Sequence, residues 1–151
     1  MKKFLLLLAC TFCFMWNTQA QQQTEYQIVT VVESIVPNGL GRSRMIVANE
    51  SRDYKEFTST RTEEDNTRNK SKRKDIRVKG FDETKLLNFY NLGGIRFQNI
   101  AANDAIVMSK INTMAQEGWE LVFVNSGVES VGSEDDANGI YVTRYIFKRS
   151  L

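Results

Sequence analysis

The sequence predicts an α+β fold: a small antiparallel sheet of about four strands packed on one main helix. Three observations predict it. Residues 26–33 and 43–48 are β-branched runs joined by the turn chemistry of Pro37-Asn38-Gly39. Residues 103–117 repeat apolar side chains at helical spacing. Residues 119–124 and 140–148 return to extended patterning.

Each element has a local reason. In the first run, Ile28, Val29, Val31 and Val32 favour a pleated strand, with Thr30 among them. Pro37 presets φ and Asn38-Gly39 tolerates positive φ; Gly39 with Gly41 points to a hairpin loop longer than two residues. Residues 51–75 differ in kind. They hold eight basic and six acidic residues, and Tyr54 and Phe57 are their only large apolar side chains. Such a segment buries too little to offset its ordering entropy, so a flexible charged loop is expected. The hairpin strands are expected to run into its first few residues. A short strand is expected over 75–79. Residues 82–90 suit a short helix with Asp82 as N-cap, anchored by Leu86, Leu87, Phe89 and Tyr90 and closed by Gly93-Gly94. Residues 95–100 read as a short extended piece.

The main helix is expected over 103–117. Asn103 or Asp104 offers a short side-chain oxygen to cap it. Val107, Met108, Ile111, Met114 and Ala115 share one face. Gly118 follows where a left-handed residue ends a helix, a conformation glycine reaches without a Cβ clash. Trp119 then stands where a side chain folds back onto the last turn, near Met114 or Ala115. Gly118 and Trp119 are therefore a structural corner, with the indole as core rather than as a binding-site aromatic.

Both late strands carry apolar residues on both faces. Trp119, Leu121 and Phe123 are expected on one face, Val122 and Val124 on the other. Tyr141, Thr143, Tyr145 and Phe147 alternate with Ile140, Val142, Arg144 and Ile146. One helix covers one face, so the other must meet residues 82–90, a partner subunit or a ligand.

Residues 1–20 have the pattern of a secretory signal peptide: Lys2-Lys3, an apolar run over 4–16, and a small residue at Ala20. The expected mature start is Gln21, and the expected destination is the periplasm or the cell exterior. Residues 21–151 are expected to form a single α+β domain. The apolar run is too short for ~30 Å of hydrocarbon, so an integral membrane protein is not expected. Leu7-Leu8-Ala9-Cys10 offers lipid anchoring at Cys10 as an alternative. Against it, the apolar run continues through Phe12, Phe14, Met15 and Trp16. The chain has 20 basic and 18 acidic residues; without Lys2 and Lys3 the two counts match. No global field then gathers nucleic acid, and no specific nucleic-acid partner is expected. Cys10 and Cys13 leave with the leader, so the domain relies on its core without disulfides.

Three short stretches carry a family resemblance. These are Glu25-Tyr26 with Val29, Gly118-Trp119-Glu120-Leu121 after an amphipathic helix, and the closing Tyr145-Ile146-Phe147-Lys148-Arg149. Together they resemble the small domain-of-unknown-function family 4177. The resemblance covers residues 26–36 and about 104–149, and residues 51–100 are an elaboration on it. It implies a small α+β sandwich and brings no established activity, cofactor or catalytic residue.

The chemistry available is limited. The chain has no His, and both cysteines lie in the leader. That removes Ser-His-Asp and Cys-His catalysis, His- or Cys-ligated zinc, and thiol redox chemistry from residues 21–151. Gly39-Leu40-Gly41 and Gly93-Gly94 lack the spacing of a phosphate loop. Adjacent Ser109 and Lys110 point apart on a helix. Glu117 and Glu120 flank the corner with no sign of a shared cleft. No enzyme and no cofactor are expected. Glu129, Glu134, Asp135 and Asp136 could offer oxygens to a hard cation, but their spacing misses the EF-hand pattern and a solvated loop is favoured. Arg68, Lys70, Lys72, Arg73 and Lys74 put five basic residues in seven positions. They suit contact with an anionic surface, although no aromatic is interleaved to stack on bases. A solvated charge run is favoured there too.

Three readings of function follow. The first is a secreted, non-enzymatic interaction or structural module with an unknown protein partner or self-association through a sheet face. The second is a small-ligand binder or carboxylate-based enzyme with a cleft roofed by residues 82–100, where Glu, Arg144 and Tyr would converge. The third is an anionic-surface binder acting through residues 68–74. The first is favoured because catalytic equipment is thin and two-faced strands need a cover.

Overall fold

A computed structural model of the chain describes residues 23–34, 43–91, 93–129 and 139–151. Residues 1–20 with the expected signal peptide and Cys10, the turn at Pro37-Asn38-Gly39 and the acidic residues Glu134, Asp135 and Asp136 lie outside the described residues. The elements run β1 (Thr24–Ser34), β2 (Arg44–Ala48), a 3₁₀ turn (Tyr54–Phe57), α1 (Arg73–Ile76), β3 (Phe81–Lys85), β4 (Tyr90–Asn91), β5 (Gly94–Ile95), α2 (Phe97–Gln116), β6 (Glu120–Glu129) and β7 (Ile140–Ser150). Five strands form an antiparallel sheet in the order β3-β2-β1-β7-β6, and β4 and β5 make a separate small hairpin. The α+β expectation of a sheet on one main helix holds, with a fifth strand added.

The strand-rich ends of the chain build the middle of the sheet. β1 pairs with β7 from Thr24↔Ser150 to Ser34↔Ile140. β2 lies on the other side of β1, in the register Val29↔Val47 and Val31↔Met45. Residues directly opposite share a face. Val29, Val31, Met45, Val47 and Phe147 therefore point together toward α2 and form the core with Leu86, Met114 and Trp119. From the helix side, Ile106, Val107 and Ile111 pack onto them. Of the expected helix face, Val107, Ile111 and Met114 do meet the core, whereas Met108 and Ala115 are exposed.

The structure corrects the middle of the chain. In place of the expected helix over 82–90, residues up to Lys85 belong to β3, which pairs with β2 from Arg44↔Lys85 to Ala48↔Phe81, and Tyr90 opens β4. Asp82 does not cap a helix; its carboxylate accepts from the Asn49 side-chain amide at 2.8 Å. A free strand edge on β2 outweighed local helix preference, as tertiary context often does. The expected strand over 75–79 is replaced at its start by the single turn of α1, where Asp75 Oδ2 accepts from the Lys72 N–H. Residues 97–100, expected as extended, are the first turn of α2. The helix begins there because Asn103 is not its cap. Asn103 is buried, and its side chain bonds across to another segment.

The corner at the end of α2 has the expected form. Gly118 has φ +84°, the left-handed region. Trp119 N–H donates to the Met114 carbonyl at 2.9 Å and Gly118 N–H to the Ala115 carbonyl at 3.1 Å. This pair of bonds is the Schellman motif, with its usual apolar contact made by Trp119 and Met114, both in the core. The Arg149 guanidinium lies 4.3 Å from the indole centroid and binds Glu25 at 2.7 Å. Arg149 thus links the corner to both central strands.

Residues 51–77 stay on the surface, apart from half-buried Phe57. Their hydrogen bonds are mostly internal: Asn69 Nδ2 donates to the Glu56 carbonyl at 2.7 Å, and Asp65 and Thr67 bond each other. The ends of the excursion are tied more firmly. Arg52 donates to the Arg77 carbonyl at 3.0 Å, and Asn49 N–H to the Gly80 carbonyl at 3.1 Å.

Two outcomes are expected. Gly118→Ala destabilises by about 1 kcal/mol or more, because alanine is strained at positive φ. Trp119→Ala costs about 3–5 kcal/mol as a large core deletion. Urea unfolding at constant m value measures both. Replacing residues 60–74 with a short Gly-Ser linker leaves the melting temperature nearly unchanged, since the ties at Arg52 and Asn49 remain and closure entropy varies slowly with length. A collapse of that shortened protein in a thermal melt would make the excursion part of the fold.

Candidate functional site: the uncovered sheet face

A helix that spans one face of a sheet leaves the alternate residues of every strand on the other. On this second face the register aligns Ala48 with Phe81, Ile28 with Ile146, and Ile146 with Phe123. Ala48 lies beside Ile28, one step along from Val29↔Val47. The result is one apolar row, Phe81–Ala48–Ile28–Ile146–Phe123, crossing all five strands. Its large members are open to solvent: Phe81 is 46% exposed, Ile28 47% and Phe123 59%. Tyr26, one position along β1, is 63% exposed on the same face. Scattered apolar residues on a surface need no explanation, but a contiguous row does.

Phe123 reaches this row through an irregularity. Leu121 pairs with Phe147 and Phe123 with Ile146, so Val122 is an extra residue, a β-bulge. The expectation that Trp119, Leu121 and Phe123 share a face is therefore corrected. Leu121 takes the helix side with Phe147, and Phe123 takes the open side with Ile146. Beyond the bulge Val124 returns to the helix side, opposite Tyr145. A bond of 2.9 Å between the Ser126 and Thr143 hydroxyls fixes that register.

The row is bordered by charge. Arg44 Nε donates to Glu83 at 2.5 Å, and Lys148 sits 3.2 Å from Glu120. Arg144 is exposed and forms no ion pair among the described residues. An open depression of about 450 Å³ lies on the β1–β2 side, lined by Tyr26, Ile28, Ala48, Asn49 and Glu50 among others. Ala48 leaves it unfilled. Arg52 and the Gly80 N–H hold the Glu50 carboxyl below its usual range there.

The opposite side of the sheet holds a smaller cavity of about 220 Å³, lined by Glu33, Phe89, Ile100, Asp104 and Tyr141. Phe89 and Ile100 come from the expected roof. Arg144 does not converge on it, since it lies on the other face, beside Thr30 and Asn125. Glu33 is fixed by a bond from Asn103 Nδ2 at 2.8 Å. Burial, then Glu33 and Asp104, pushes the nearby Tyr145 hydroxyl above its usual pKa.

The same Asn103 exchanges two bonds with the Leu87 backbone, at 2.8 and 2.7 Å. Ser43, fully buried, accepts from the Ser34 N–H at 3.0 Å and donates to Asn88 Oδ1 at 2.7 Å. This polar seam clamps the segment after β3 to the sheet and to α2. Sequence reasoning missed it. The available signal was an Asn between apolar helix positions, at which a side-chain amide must be satisfied if buried.

The other candidate residues remain apart. Arg68, Lys70, Lys72, Arg73 and Lys74 are exposed on the surface excursion and bridge to no carboxylate among the described residues. Glu117 is exposed, and Glu120 faces Lys148. Among the described residues no group of three or more metal-ligating side chains gathers, and no helix is long and apolar enough to cross a membrane. No family model, curated protein or solved structure matches the chain.

Asn103→Ala should destabilise by about 1–3 kcal/mol for each Leu87 backbone group it leaves unpaired. Urea unfolding checks the size. An unchanged midpoint would mean that water replaces the amide at no cost.

Proposed function

We propose that the protein is an exported, non-enzymatic interaction module that works by docking its uncovered sheet face. The apolar row Phe81–Ala48–Ile28–Ile146–Phe123 is the observation that carries this reading. Apolar surface of this kind gains about 25 cal/mol per Å² when removed from water. Its charged border matches the usual division of an interface into an apolar centre and a polar rim. Export follows from the leader pattern in residues 1–20. The bulge at Val122 adds weight, because it places a large aromatic in solvent at the end of the row. Packing alone would favour the opposite side.

A second reading has one observation in its favour. The cavity between Glu33, Asp104 and Tyr141 has carboxylates and an aromatic wall, which suits a small organic cation. Docking through the face is preferred because the cavity is small and one of its carboxylates is committed to Asn103. The basic residues 68–74 support contact with an anionic surface only through their exposure.

The test is photocrosslinking in the producing cell. Benzoylphenylalanine at position 123 should give a discrete adduct, while the same group at exposed Met108 on α2 should give none. Equal, diffuse labelling at the two positions would remove the face as a docking site.

A further inference from the structure

Resting on that reading, we infer that the occupant of the open face is a second copy of this chain, related by a two-fold axis running along β1. The face is close to self-complementary about that axis. A rotation about β1 exchanges the two flanks of the sheet, so β2 and β3 of one copy lie over β7 and β6 of the other. Ile28 then meets Ile28 of the second copy. Phe81 meets Phe123, and small Ala48 meets Ile146.

Charge selects the same axis. In the row next to the apolar one, Glu83 aligns with Ile46, Ile46 with Thr30, and Thr30 with Arg144. The rotation sets Arg144 of one copy over Ile46 of the other, one strand spacing, ~4.8 Å, from Glu83. The guanidinium would there share the Glu83 carboxylate with Arg44, which holds it at 2.5 Å. The competing axis, across the strands, superimposes the flanking rows instead. It sets Arg144 directly over Lys148, whose Glu120 partner lies on the neighbouring strand, whereas the axis along β1 sets Arg144 over neutral Ile46.

The available area is adequate. β1 lies over itself along 11 residues, but β2 and β3 are five residues long and limit the overlap of each flank, so strands ~4.8 Å apart rising ~3.3 Å per residue give roughly 500 Å² per partner. Over both partners that comes to roughly 1,000 Å², the lower bound for a specific interface. Stacked sheets pack ~10 Å apart with strand directions within about 30° of each other, which an axis along β1 satisfies. The interface is isologous and closes at two copies.

The experiment uses the exported chain, whose residues from Gln21 onward hold no cysteine. Light scattering should return twice the monomer mass, and Phe123→Asp should return the monomer mass with an unchanged far-ultraviolet spectrum. With diamide as oxidant, Phe81→Cys with Phe123→Cys should cross-link two copies, and Phe81→Cys alone should not. A disulfide dimer from Phe81→Cys alone would overturn the axis in favour of the one across the strands. A dimer cross-linked by Val124→Cys and untouched by Phe123→Asp would replace the face with the β6 edge. A monomer in scattering overturns the second copy outright. The docking reading then survives only if position 123 still cross-links to a different protein in the cell, and falls with it if no adduct forms.

Discussion

A single helix covers one face of a sheet, and here the connection it makes decides which face and how much. β3 and β6 are the two outer strands, and α2 is the element that joins them. It must therefore pass over the sheet from one edge to the other. The buried apolar residues all collect beneath it, from Val47 on β2 to Phe147 on β7. Nothing in the described residues makes an equivalent crossing on the other side. The one long helix among the described residues lies on the covered side, and the strands still alternate. The apolar row on the bare face is the consequence of placing Phe81, Ile28, Ile146 and Phe123 at the solvent positions of that alternation.

The helix is held at both ends by different chemistry. At its C-terminal end the Schellman bonds and the Trp119–Met114 contact turn the chain into β6, and Arg149 braces the indole from β7. The Arg149 Nε is buried without a hydrogen-bond partner among the described residues, and the stacked guanidinium is partly compensated by the ring and by Glu25. Near its N-terminal end Asn103 satisfies both backbone groups of Leu87, and Asn99 donates to the Asn88 carbonyl at 2.7 Å. Both devices act from the covered side. The open face consequently belongs to a braced platform, which lowers the ordering cost of docking on it.

What the sequence made legible tracks where local and tertiary forces agree. β1, β2, the body of α2 and the corner at Gly118 were readable because propensity, spacing and cap chemistry all point the same way. The segment 82–90 was not. Asp82 before Leu86 and Leu87 satisfies a helix cap and an apolar face, yet the ladder on β2 captured the segment's first residues, up to Lys85, as β3. Asn103 misled in a similar way. A short polar side chain before an apolar run signals a cap, but here the amide is spent on Leu87 and Glu33. The need for a cover on the second face was visible in the two-faced late strands. Its composition was not, because the two ends of the row, Phe81 and Phe123, come from the misread β3 and from a bulge that no periodicity announces.

That bulge also bears on why the face, rather than the sheet edge, is the place to look for a partner. Both edges are open to further pairing in principle. β3 is short and carries Asp82, Glu83 and Lys85, the charged composition that natural edges use against pairing. β6 is longer, and Leu121, Val122, Phe123 and Val124 would make it an adhesive edge if it were regular. The extra residue at Val122 interrupts its ladder and increases the local twist, which opposes flat edge-to-edge association. The same insertion turns Phe123 from the helix side to the open side. One residue therefore weakens the edge and enlarges the face, and both effects direct association toward stacking rather than strand addition.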